Sequence, residues 1–589
     1  MASPRSAYSG SDPKLVVAID IGTTYSGASY TFLKPEEVPR IWDVGGFKGQ
    51  EDRQGNSKVP SELFYSLEGD LVACGARISR LEPQEGIKTK WFKLGLRPPS
   101  MLVDDPPPVD LPPGRTVIDA FGDFLKYMYD CVKTHIINTH VDGHQLWSSL
   151  NRTTQFVLSH PNGWGDSQWG KMREAAIRGG LVPNTPEGHE RVEFVTEGEA
   201  SFHWCIDKGT ATAALKEGAK IVVVDLGGGT IDVSSFLVGT PKPLRLSELK
   251  APECALAGSI TVTERFMKTA IARLQGTPYG DNDYIEALRE EFDQKTKCIF
   301  HENTNHEVYV RIGSRREHFV AENGACRIEA GHLEVQRQEI VDAFEPSVTA
   351  TVNAIRTHLA EPTGAYVFLV GGFSASPWML SEIRRRLDAA GIKCPVKRAD
   401  NDMAKAASSG GVAFYLDRHV TERIMRHTYG VILDVPYHPE DPEHQDRNQD
   451  LKVDPNSGKQ YVRGGFFALV TRGQLVKVDR VYKERGCSDA RPKQEPIRWN
   501  QTIQRYSGEA GNVTFIDTDP DGFTQIGSFY CDIPASAMTK HTKGSRTFWA
   551  VDFNLVITLG TVEMKAYVEW EDQGVKKRTR AMSTEQEYY

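Results

Sequence analysis

Residues 221–232 read IVVVDLGGGTID, an apolar run that ends at Asp225 and continues through three glycines and a threonine to Asp232. A similar stretch, LVVAIDIGTTYSG, occupies residues 15–27, and its apolar run ends at Asp20. Each stretch predicts a strand, a glycine-rich turn and a second strand. The chain therefore carries the same arrangement of strand, aspartate, turn and threonine twice.

Both turns have the composition of a phosphate-binding turn. Glycine permits positive φ and lets backbone N–H groups approach a ligand closely, and a concave turn of such amides attracts anions. Carboxylates repel phosphate unless a cation lies between them, so Asp20, Asp225 and Asp232 predict Mg²⁺. The alternative is two ordinary hairpins with glycine turns. The matching aspartates and threonines of the two copies favour the phosphate site.

Other nucleotide and hydrolase motifs do not fit the sequence. There is no G-x-x-x-x-G-K-[ST] stretch, and no G-x-G-x-x-G opens a helix after a strand. GFSAS at residues 372–376 lacks the closing glycine of a hydrolase elbow. These gaps exclude a P-loop, a dinucleotide-binding fold and an α/β-hydrolase as explanations of the glycine turns.

The composition predicts a soluble, cytoplasmic protein of several domains. A chain of 589 residues is too long for one core, and 39% hydrophobic with 25% charged residues is ordinary for a globular protein. A net charge of −8, with dispersed Lys and Arg, argues against nucleic acid as the partner. Nine cysteines without a C-x-x-C pair predict reduced thiols. No apolar run is long enough to span a membrane, and residues 1–13 lack a signal-peptide core and predict disorder.

The hydrophobic pattern divides the chain into two regions. From Leu15 to about Ala413, strands alternate with helices, which predicts an α/β domain. After a boundary near Arg423–Tyr429, strands follow one another with Gly, Asp and Pro between them, as in an antiparallel β domain. The strands predicted in the first region are Val16–Asp20, Thr154–Pro161, Ile221–Asp225 and Ala365–Gly372. The predicted helices are Thr116–Thr134, Asp166–Arg178, Ala257–Gln275, Asp283–Phe300, Arg337–His358 and Trp378–Ala390. The predicted strands of the second region include residues 429–435, 465–474, 511–518 and 547–570.

Several stretches, in the same order along the chain, resemble motifs of the 70-kDa heat-shock (DnaK-type) family of the actin-like ATPase superfamily. AIDIGTTYSG and VVVDLGGGTIDVS are similar to its two phosphate hairpins. LSHPNGWGDSQWGKMREAA, VTEGEASFHWCID and VFLVGGFSASPWM resemble three further segments of its ATPase domain. The spelling GGFSASP and the TYGV entry into the β region point to the divergent heat-shock-protein-12 branch.

The resemblance implies a fold and a division into domains. Residues 14–425 would form a two-lobed actin-like ATPase domain built from duplicated ribonuclease-H-like lobes, after a disordered segment at residues 1–13. Residues 426–589 would form a β-sandwich-like domain for polypeptide binding, without the helical lid of the family.

The resemblance also implies roles for individual residues. Mg²⁺ would be held by Asp20, Asp225 and Asp232, and catalysis would involve Lys93, Glu197, Asp225 and Thr230. The phosphates would be bound by Gly22, Thr23, Thr24, Tyr25, Gly227, Gly228 and Gly229. Lys90 and Lys88 are rivals of Lys93, and an exposed lysine without a catalytic role is a further alternative. Glu197 is alternatively an ordinary acidic residue at the start of a helix.

At the adenosine end, the resemblance implies contacts from Asp293, Lys297, Gly371 and Gly372. Asp293 and Lys297 are alternatively an acid–base pair four residues apart on one helix face. The arginine that stacks on adenine in the family would fall at Ala375, which lacks a group for stacking. Adenine preference and tight nucleotide affinity are therefore not expected.

Two functions remain open after the sequence is read. The first is a chaperone-like protein that binds ATP or ADP with Mg²⁺, hydrolyses ATP slowly and binds polypeptide clients or protein partners through its β domain. The second is a nucleotide-gated interaction module with negligible turnover, which the alanine at residue 375 and the charged linker Val420–Thr428 favour. A small-molecule kinase is weaker, because no sugar-binding signature is present.

Overall fold

The structure is a computed structural model that divides into two compact units, Met1–His419 and Val420–Tyr589. It describes residues 5–50, 58–81, 83–99, 101, 109–321, 326–359, 361, 363–398, 405–478, 480–509, 511, 513–559, 564–579 and 582–583. The domain limits 1–13, 14–425 and 426–589 stay predictions. Within the predicted disordered segment, Arg5 forms ion pairs with Asp207 and Asp417.

The first unit alternates strands and helices along its whole length. Its strands are β1 (Lys14–Asp20), β2 (Tyr25–Leu33), β3 (Trp42–Asp43), β4 (Val59–Pro60), β5 (Glu62–Tyr65), β6 (Leu71–Cys74), β7 (Ile87–Lys90), β8 (Gln155–His160), β9 (Val192–Thr196), β10 (Lys220–Leu226), β11 (Ile231–Pro241), β12 (Leu244–Ala255), β13 (Glu307–Arg311), β14 (Phe319–Val320), β15 (Arg327–Glu329), β16 (His332–Gln336), β17 (Ala365–Val370) and β18 (Val396–Arg398). Its helices are α1 (Val117–Thr139), α2 (Gly143–Leu150), α3 (Asp166–Arg178), α4 (Pro186–His189), α5 (Glu197–Asp207), α6 (Ser259–Leu274), α7 (Asn282–Glu291), α8 (Lys297–Ile299), α9 (Arg337–His358), α10 (Pro377–Ala389) and α11 (Ala406–Asp417). The mixed α/β class predicted from the sequence is confirmed.

Two sheets of the first unit share one topology. The first runs β3-β2-β1-β8-β9 and the second β18-β17-β10-β11-β12. In each, the central strand pairs antiparallel with the strand that follows it and parallel with a later one, as β1 does with β2 and β8 and as β10 does with β11 and β17. The antiparallel register sets Asp20 opposite Gly27 and Asp225 opposite Asp232. The two similar sequence stretches therefore occupy equivalent places in two like sheets.

The apolar runs that end at the two aspartates are buried. All but the first residue of β1 and of β10 are buried, as expected for strands covered on both faces. Helix α11, with the sequence AASSGGVAFYLD, packs closely on α5 because its small residues let the backbones approach. A Cβ at Gly410 would lie within 2.5 Å of the carbonyl carbon of Ala200. This packing holds the N-terminus of α5, and with it Glu197, at the edge of the first sheet.

The predicted helices match the structure closely, with one exception. Asp166–Arg178 and Arg337–His358 have the predicted bounds. The stretch Asp283–Phe300, predicted as one helix, consists of α7, a π-helical turn at Phe292–Thr296 and the short α8. The π turn buries Phe292, whose ring stacks on Phe266 of α6 at 3.8 Å between centroids. A wider helical turn thus brings Asp293 and Lys297 toward α6.

The second unit is dominated by antiparallel strands. These are β19 (Val420–Ile424), β20 (Thr428–Pro436), β21 (Lys452–Val453), β22 (Gln460–Val470), β23 (Leu475–Lys477), β24 (Val481–Cys487), β25 (Ile497–Tyr506), β26 (Phe523–Ile533), β27 (Thr539–Lys543), β28 (Arg546–Ala550), β29 (Asp552–Leu559), β30 (Met564–Asp572), β31 (Val575–Arg578) and β32 (Met582–Ser583), with one short helix, α12 (Pro442–Asp446). One sheet runs β21-β22-β20-β25-β26 and another β24-β29-β30-β31, with β32 also paired to β30. The charged stretch predicted as a linker contains strand β19.

Both of these sheets contribute to one buried cluster. It includes Ile503 of β25, Ile533 of β26, Leu555 of β29 and Val568 of β30. The sandwich-like arrangement predicted for this region stays a prediction. The strand predicted at residues 511–518 is wrong, because the described part of that stretch forms an isolated bridge and a 3-10 turn.

All nine cysteines are free thiols. Among the described residues, no helix combines the length and the apolar character needed to cross a membrane.

Candidate functional site

A cavity of about 510 Å³ lies where the turns after β1 and β10 meet. The predicted residues that line it are Asp20, Gly22, Thr23, Thr24, Tyr25, Lys93, Glu197, Asp225, Gly227, Gly228, Gly229, Thr230, Asp293, Lys297, Gly371, Gly372 and Ala375. Asp232 is not among the lining residues that the structure describes and is fully buried. The structure therefore brings nearly all predicted site residues together, whereas their roles stay predictions.

The two glycine turns face each other at close range. A Cβ at Gly228 would lie 2.5 Å from the hydroxyl oxygen of Thr24, and one at Gly229 would lie 2.6 Å from that of Thr23. Neither glycine is among the described residues with positive φ, so close approach and not backbone conformation explains them. Glycine is required here because a side chain would separate the two turns.

Asp20, at the end of β1, is buried and hydrogen-bonded on both oxygens. The Ser159 hydroxyl donates to Oδ1 at 2.7 Å, and the Lys58 ammonium donates to Oδ2 at 3.1 Å. Burial opposes its ionisation, but the positive charges of Lys58 and Lys93 outweigh this effect and lower the pKa of Asp20. Asp20 is therefore an anion whose charge is already balanced by the protein.

Asp225 occupies the equivalent position at the end of β10, in a different environment. Its Oδ2 accepts a hydrogen bond from the Ser201 hydroxyl at 2.7 Å. Burial, with the neighbouring charges of Asp232 and Asp20, raises the pKa of Asp225 to about 7. Gly371, at φ 80°, approaches this carboxylate so closely that an added Cβ would overlap Oδ1. The site thus holds Asp225 without a lysine or arginine partner among the described residues.

Asp232, opposite Asp225 in the sheet, has one unsatisfied oxygen. Its Oδ1 accepts the backbone N–H of Asn162 at 2.6 Å. Its Oδ2 is buried and has no hydrogen-bond partner among the residues that the structure describes. Burial raises the pKa of Asp232, although the nearby Thr230 hydroxyl and the Asn162 amide oppose this shift. A buried carboxylate oxygen without a donor is unfavourable unless a further group binds it.

Lys93 and Glu197 form a buried ion pair in the lining of the cavity. Lys93 lies in a 3-10 turn, Phe92–Leu96, and is 3% exposed. Glu197 is the first residue of α5, which Thr196 caps through a side-chain bond to the Glu199 N–H. Burial works against the charge of the lysine, yet Glu197 and Asp20 raise the pKa of Lys93. Lys93 is therefore a cation at neutral pH.

The rival lysines lie elsewhere. Lys88 and Lys90, both on β7, form ion pairs with Glu62 at 2.8 Å and 3.8 Å. Neither is among the described residues that line the cavity, whereas Lys93 is. The geometry therefore favours Lys93 over both rivals for contact with a ligand.

This group of carboxylates fits a hard divalent cation. Asp20, Asp225 and Asp232 supply only oxygen ligands, which Mg²⁺ prefers, and one of these oxygens is buried without a donor. Burial also raises the pKa of Glu197 beside them, and the negative charges of the three aspartates add to this shift. A cation would relieve this repulsion, so the residues fit the predicted metal.

The opposite end of the cavity contains a second charged network. The Lys297 ammonium donates to the Thr263 hydroxyl at 2.9 Å and forms an ion pair with Asp293, whose Oδ1 also accepts from Thr263 at 2.7 Å. The pair four residues apart therefore exists, and both members also line the cavity. Ala375 also lines the cavity, and its carbonyl accepts a hydrogen bond from Arg398 at 3.4 Å.

The sequence analysis missed several lining residues. They are Lys58, Ser259, Gln294, Cys298, Phe373, Ser376, Ala406 and Ala407. Ser259, Ala406 and Ala407 come from helix starts that carry no motif, whereas Phe373 and Ser376 lie within the GGFSASP stretch. Lys58 directly precedes β4, and only the pairing of β4 with β2 places it beside the first glycine turn. A search for a cation near Asp20 could not have found it by spacing alone.

The fold and this cavity define a mixed α/β protein with two like sheets and a polar cleft at their glycine turns. No protein-family model matches the chain. Among curated proteins, it is similar to mouse heat shock 70 kDa protein 12A, with 26% identity over 89% of this chain and 86% of that protein. Human heat shock 70 kDa protein 12A is 25% identical over 94% of this chain and 89% of its own length. Human heat shock 70 kDa protein 12B is 22% identical over 97% of this chain and 89% of its own length. The predicted resemblance to the divergent 12 branch of the 70-kDa heat-shock family is confirmed.

Proposed function

We propose that the chain is a chaperone-type protein that binds ATP and ADP with Mg²⁺ in this cavity and hydrolyses ATP slowly. One observation carries the proposal: two glycine turns from like sheets face each other at a cavity that also contains the Lys93–Glu197 pair. The shared topology of the two sheets supports a two-lobed actin-like ATPase fold with duplicated ribonuclease-H-like lobes. Phosphoryl transfer to water depends on positioning and charge neutralisation, which such a site supplies.

The residues at the phosphate end have different roles. Gly22, Thr23, Thr24 and Tyr25 on one side and Gly227, Gly228, Gly229 and Thr230 on the other bind phosphate oxygens. Asp20, Asp225 and Asp232 hold Mg²⁺, which when bound neutralises phosphate charge. Lys93 stabilises the negative charge that develops on the transferred phosphoryl group. Glu197 orients the attacking water through its carboxylate, and its pairing with Lys93 keeps both groups in place.

At the base end, the backbone of Gly371 and Gly372 and the Asp293–Lys297 network contact the nucleoside. The hydroxyl and ammonium groups of Thr263 and Lys297 are already bonded to each other, which fixes their orientation. Ala375 offers no stacking group, so the base is held by backbone and helix contacts. This arrangement supports weak discrimination between purines.

The β-rich second unit is proposed to bind polypeptide clients or a protein partner, as a sandwich-like domain. The proposal is supported by its two antiparallel sheets with a common core and by the similarity to heat shock 70 kDa proteins 12A and 12B. Free thiols on all nine cysteines agree with a cytoplasmic location, which is proposed on that basis.

A second candidate function is a nucleotide-gated interaction module with negligible turnover. The observation that favours it is Ala375, where no side chain can stack on the base. Nucleotide binding would then regulate a partner surface, and hydrolysis would play no part.

Two measurements on the full chain test these proposals. Titration calorimetry with ADP and a non-hydrolysable ATP analogue, each with magnesium, should show saturable binding to one site. Absence of heat for both nucleotides, together with unchanged thermal unfolding, would reject the nucleotide site. Single-turnover hydrolysis of radiolabelled ATP then separates the candidates, since release of phosphate by the wild-type chain but not by Lys93→Ala supports the ATPase. Equal, negligible release by both supports the interaction module.

A further inference from the structure

Lys58 brings a second lysine side chain to the phosphate end of the cavity. Its ammonium lies 3.1 Å from Asp20 Oδ2, and the side chain is 24% exposed, so it is accessible from the cavity that it lines. Lys93, the other cation there, is paired with Glu197. Asp225 and Asp232 have no ion pair among the described residues. Among the described residues, the phosphate end of the cavity therefore contains two lysine cations, and one of them neutralises a proposed metal-binding carboxylate.

Backbone contacts fix the place of Lys58. It directly precedes β4, which pairs with the start of β2, and β2 begins just after the first glycine turn. Beyond β4, the Ser61 N–H donates to the Thr24 carbonyl at 2.8 Å, and the buried hydroxyls of Ser61 and Ser26 are 2.8 Å apart. These contacts hold the chain beside the turn, so the approach of Lys58 to Asp20 follows from strand register and not from a freely rotating surface side chain.

We propose that Lys58 is a resident cation for the nucleotide phosphates and lets the cavity retain ADP when divalent metal is absent. The inference rests on the proposed nucleotide site. A lysine ammonium has three donors, so Lys58 can keep one on Asp20 and direct another at a phosphate oxygen. Such charge-assisted hydrogen bonds are about twice as strong as neutral ones. Because Asp20 is also a proposed magnesium residue, Lys58 takes over part of the neutralisation that metal supplies.

A merely structural ion pair would behave differently. If Lys58 served only to neutralise buried Asp20, its removal would lower the thermal unfolding temperature and would change ADP affinity to the same extent with and without metal. With a resident cation, removal of the lysine makes nucleotide affinity more dependent on magnesium than it is in the wild-type chain. The dependence on metal therefore distinguishes the two roles.

The test is an ADP titration by calorimetry on the full chain, in EDTA and in excess magnesium chloride. The variants are Lys58→Met, which removes the charge at similar length, Lys58→Arg, which keeps it, and Lys126→Met as a control. Lys126 is an exposed lysine, 61% accessible, paired with Asp130 on α1. In EDTA, Lys58→Met should weaken ADP binding by about ten- to a hundredfold, the range for a hydrogen bond to a charged group. In magnesium, its affinity should stay within about threefold of wild type, because metal then supplies the missing charge.

The remaining variants and outcomes complete the test. Lys58→Arg should restore most of the metal-free affinity, and Lys126→Met should match wild type in both buffers. If Lys58→Met binds ADP in EDTA as well as wild type, or loses affinity equally in both buffers, the inference is overturned. If the wild-type chain binds ADP only with magnesium, the inference fails and the proposed function stands. If it binds in neither buffer, the proposed function itself fails. Should Lys58→Met not fold, Lys58→Gln provides the same comparison with a smaller perturbation.

Discussion

Asp20 and Asp225 end equivalent central strands of two sheets with the same topology, yet their environments differ. Asp20 accepts hydrogen bonds from Ser159 and Lys58, and its pKa is lowered. Asp225 accepts only a serine hydroxyl among the described groups, and its pKa is raised to about 7. The backbone arrangement is repeated in the two halves, whereas the charge is not.

The difference extends to the whole phosphate end of the cavity. The first half of the unit supplies both cations, Lys58 and Lys93, and the second half supplies Asp225 and Asp232, the carboxylates without an ion pair among the described residues. A repeated fold can therefore hold two complementary half-sites. The first half supplies positive charge for a phosphate, and an added cation would stabilise the carboxylates of the second half.

The largest effect is expected from removing the cation that lies between the halves. Lys93→Ala should lower the rate of ATP hydrolysis by about 10²–10³, because the developing charge on the phosphoryl group loses its stabilising ammonium. Nucleotide binding should persist, since the glycine turns and metal remain. Single-turnover hydrolysis and ADP calorimetry measure the two quantities separately.

Lys90→Ala is the matched control for this variant. Lys90, on β7, is close in sequence to Lys93 and pairs with Glu62 of β5, and it is not among the described lining residues of the cavity. It should hydrolyse ATP like wild type. A loss of turnover in Lys90→Ala with none in Lys93→Ala would reassign the catalytic lysine.

The next effect concerns the half without a cation. Asp225→Ala should weaken magnesium-dependent nucleotide binding by about ten- to a hundredfold, the range for losing an interaction with a charged group. The fold should persist, because among the described residues the Asp225 side chain accepts a single hydrogen bond, from Ser201. Calorimetry in magnesium gives the affinity, and circular dichroism checks the fold. If this variant binds nucleotide with wild-type affinity, metal binding does not require the Asp225 carboxylate.

A smaller effect should appear in the pH dependence of stability. In the folded, metal-free chain, burial raises the pKa of Asp225 to about 7 from its ordinary value of 3.8. Between these values the folded state holds a proton that the unfolded chain has released, so stability falls as pH rises from about 4 to 7. The contribution is at most about 1.4 kcal/mol per pH unit. Above this window the stabilisation by the protonated carboxyl is lost.

Denaturant unfolding of the chain in EDTA, at several pH values between 5 and 8, measures this slope. Asp225→Asn cannot titrate and should show a shallower decline than wild type, whereas Asp20→Asn should not, because the pKa of Asp20 is lowered. An identical slope in wild type and Asp225→Asn would mean that Asp225 is ionised throughout, and the contrast between the two halves would then be wrong.

The features that were predicted correctly from the sequence are those that a local pattern determines. Apolar runs ending at an aspartate and a glycine turn identified β1 and β10, and helical periodicity gave α3 and α9 with their observed bounds. It could not predict the π turn at Phe292–Thr296, because the stacking of Phe292 on Phe266 is a tertiary contact. It also missed Lys58, whose place depends on strand pairing across a turn. The strands and glycine turns can thus be predicted from the sequence, whereas the charged side chains around them depend on contacts between distant segments.

The smallest effect is expected at the base end, where Ala375 offers no stacking side chain. An arginine over adenine would contribute about 0.5–2 kcal/mol, depending on how far it is desolvated. Ala375→Arg should therefore tighten ADP binding by about two- to thirtyfold, since 1.4 kcal/mol corresponds to a tenfold change. It should also increase the preference for ADP over GDP, because a guanidinium stacks on the base that the backbone of Gly371 and Gly372 positions.

Arg398 decides how this result is interpreted. Its guanidinium donates to the carbonyl of Ala375 at 3.4 Å, so among the described residues it is an arginine in contact with a lining residue of the base end. The experiment compares ADP and GDP isotherms for wild type, Ala375→Arg, Arg398→Ala and the double variant. If Ala375 marks a missing stack, Arg398→Ala changes neither affinity and Ala375→Arg improves ADP alone. If Arg398→Ala weakens ADP binding by the same two- to thirtyfold, Arg398 takes the stacking role that the family assigns to the position of Ala375. The base end would then have its stacking arginine, and the difference between the two halves would be limited to the charges at the phosphate end.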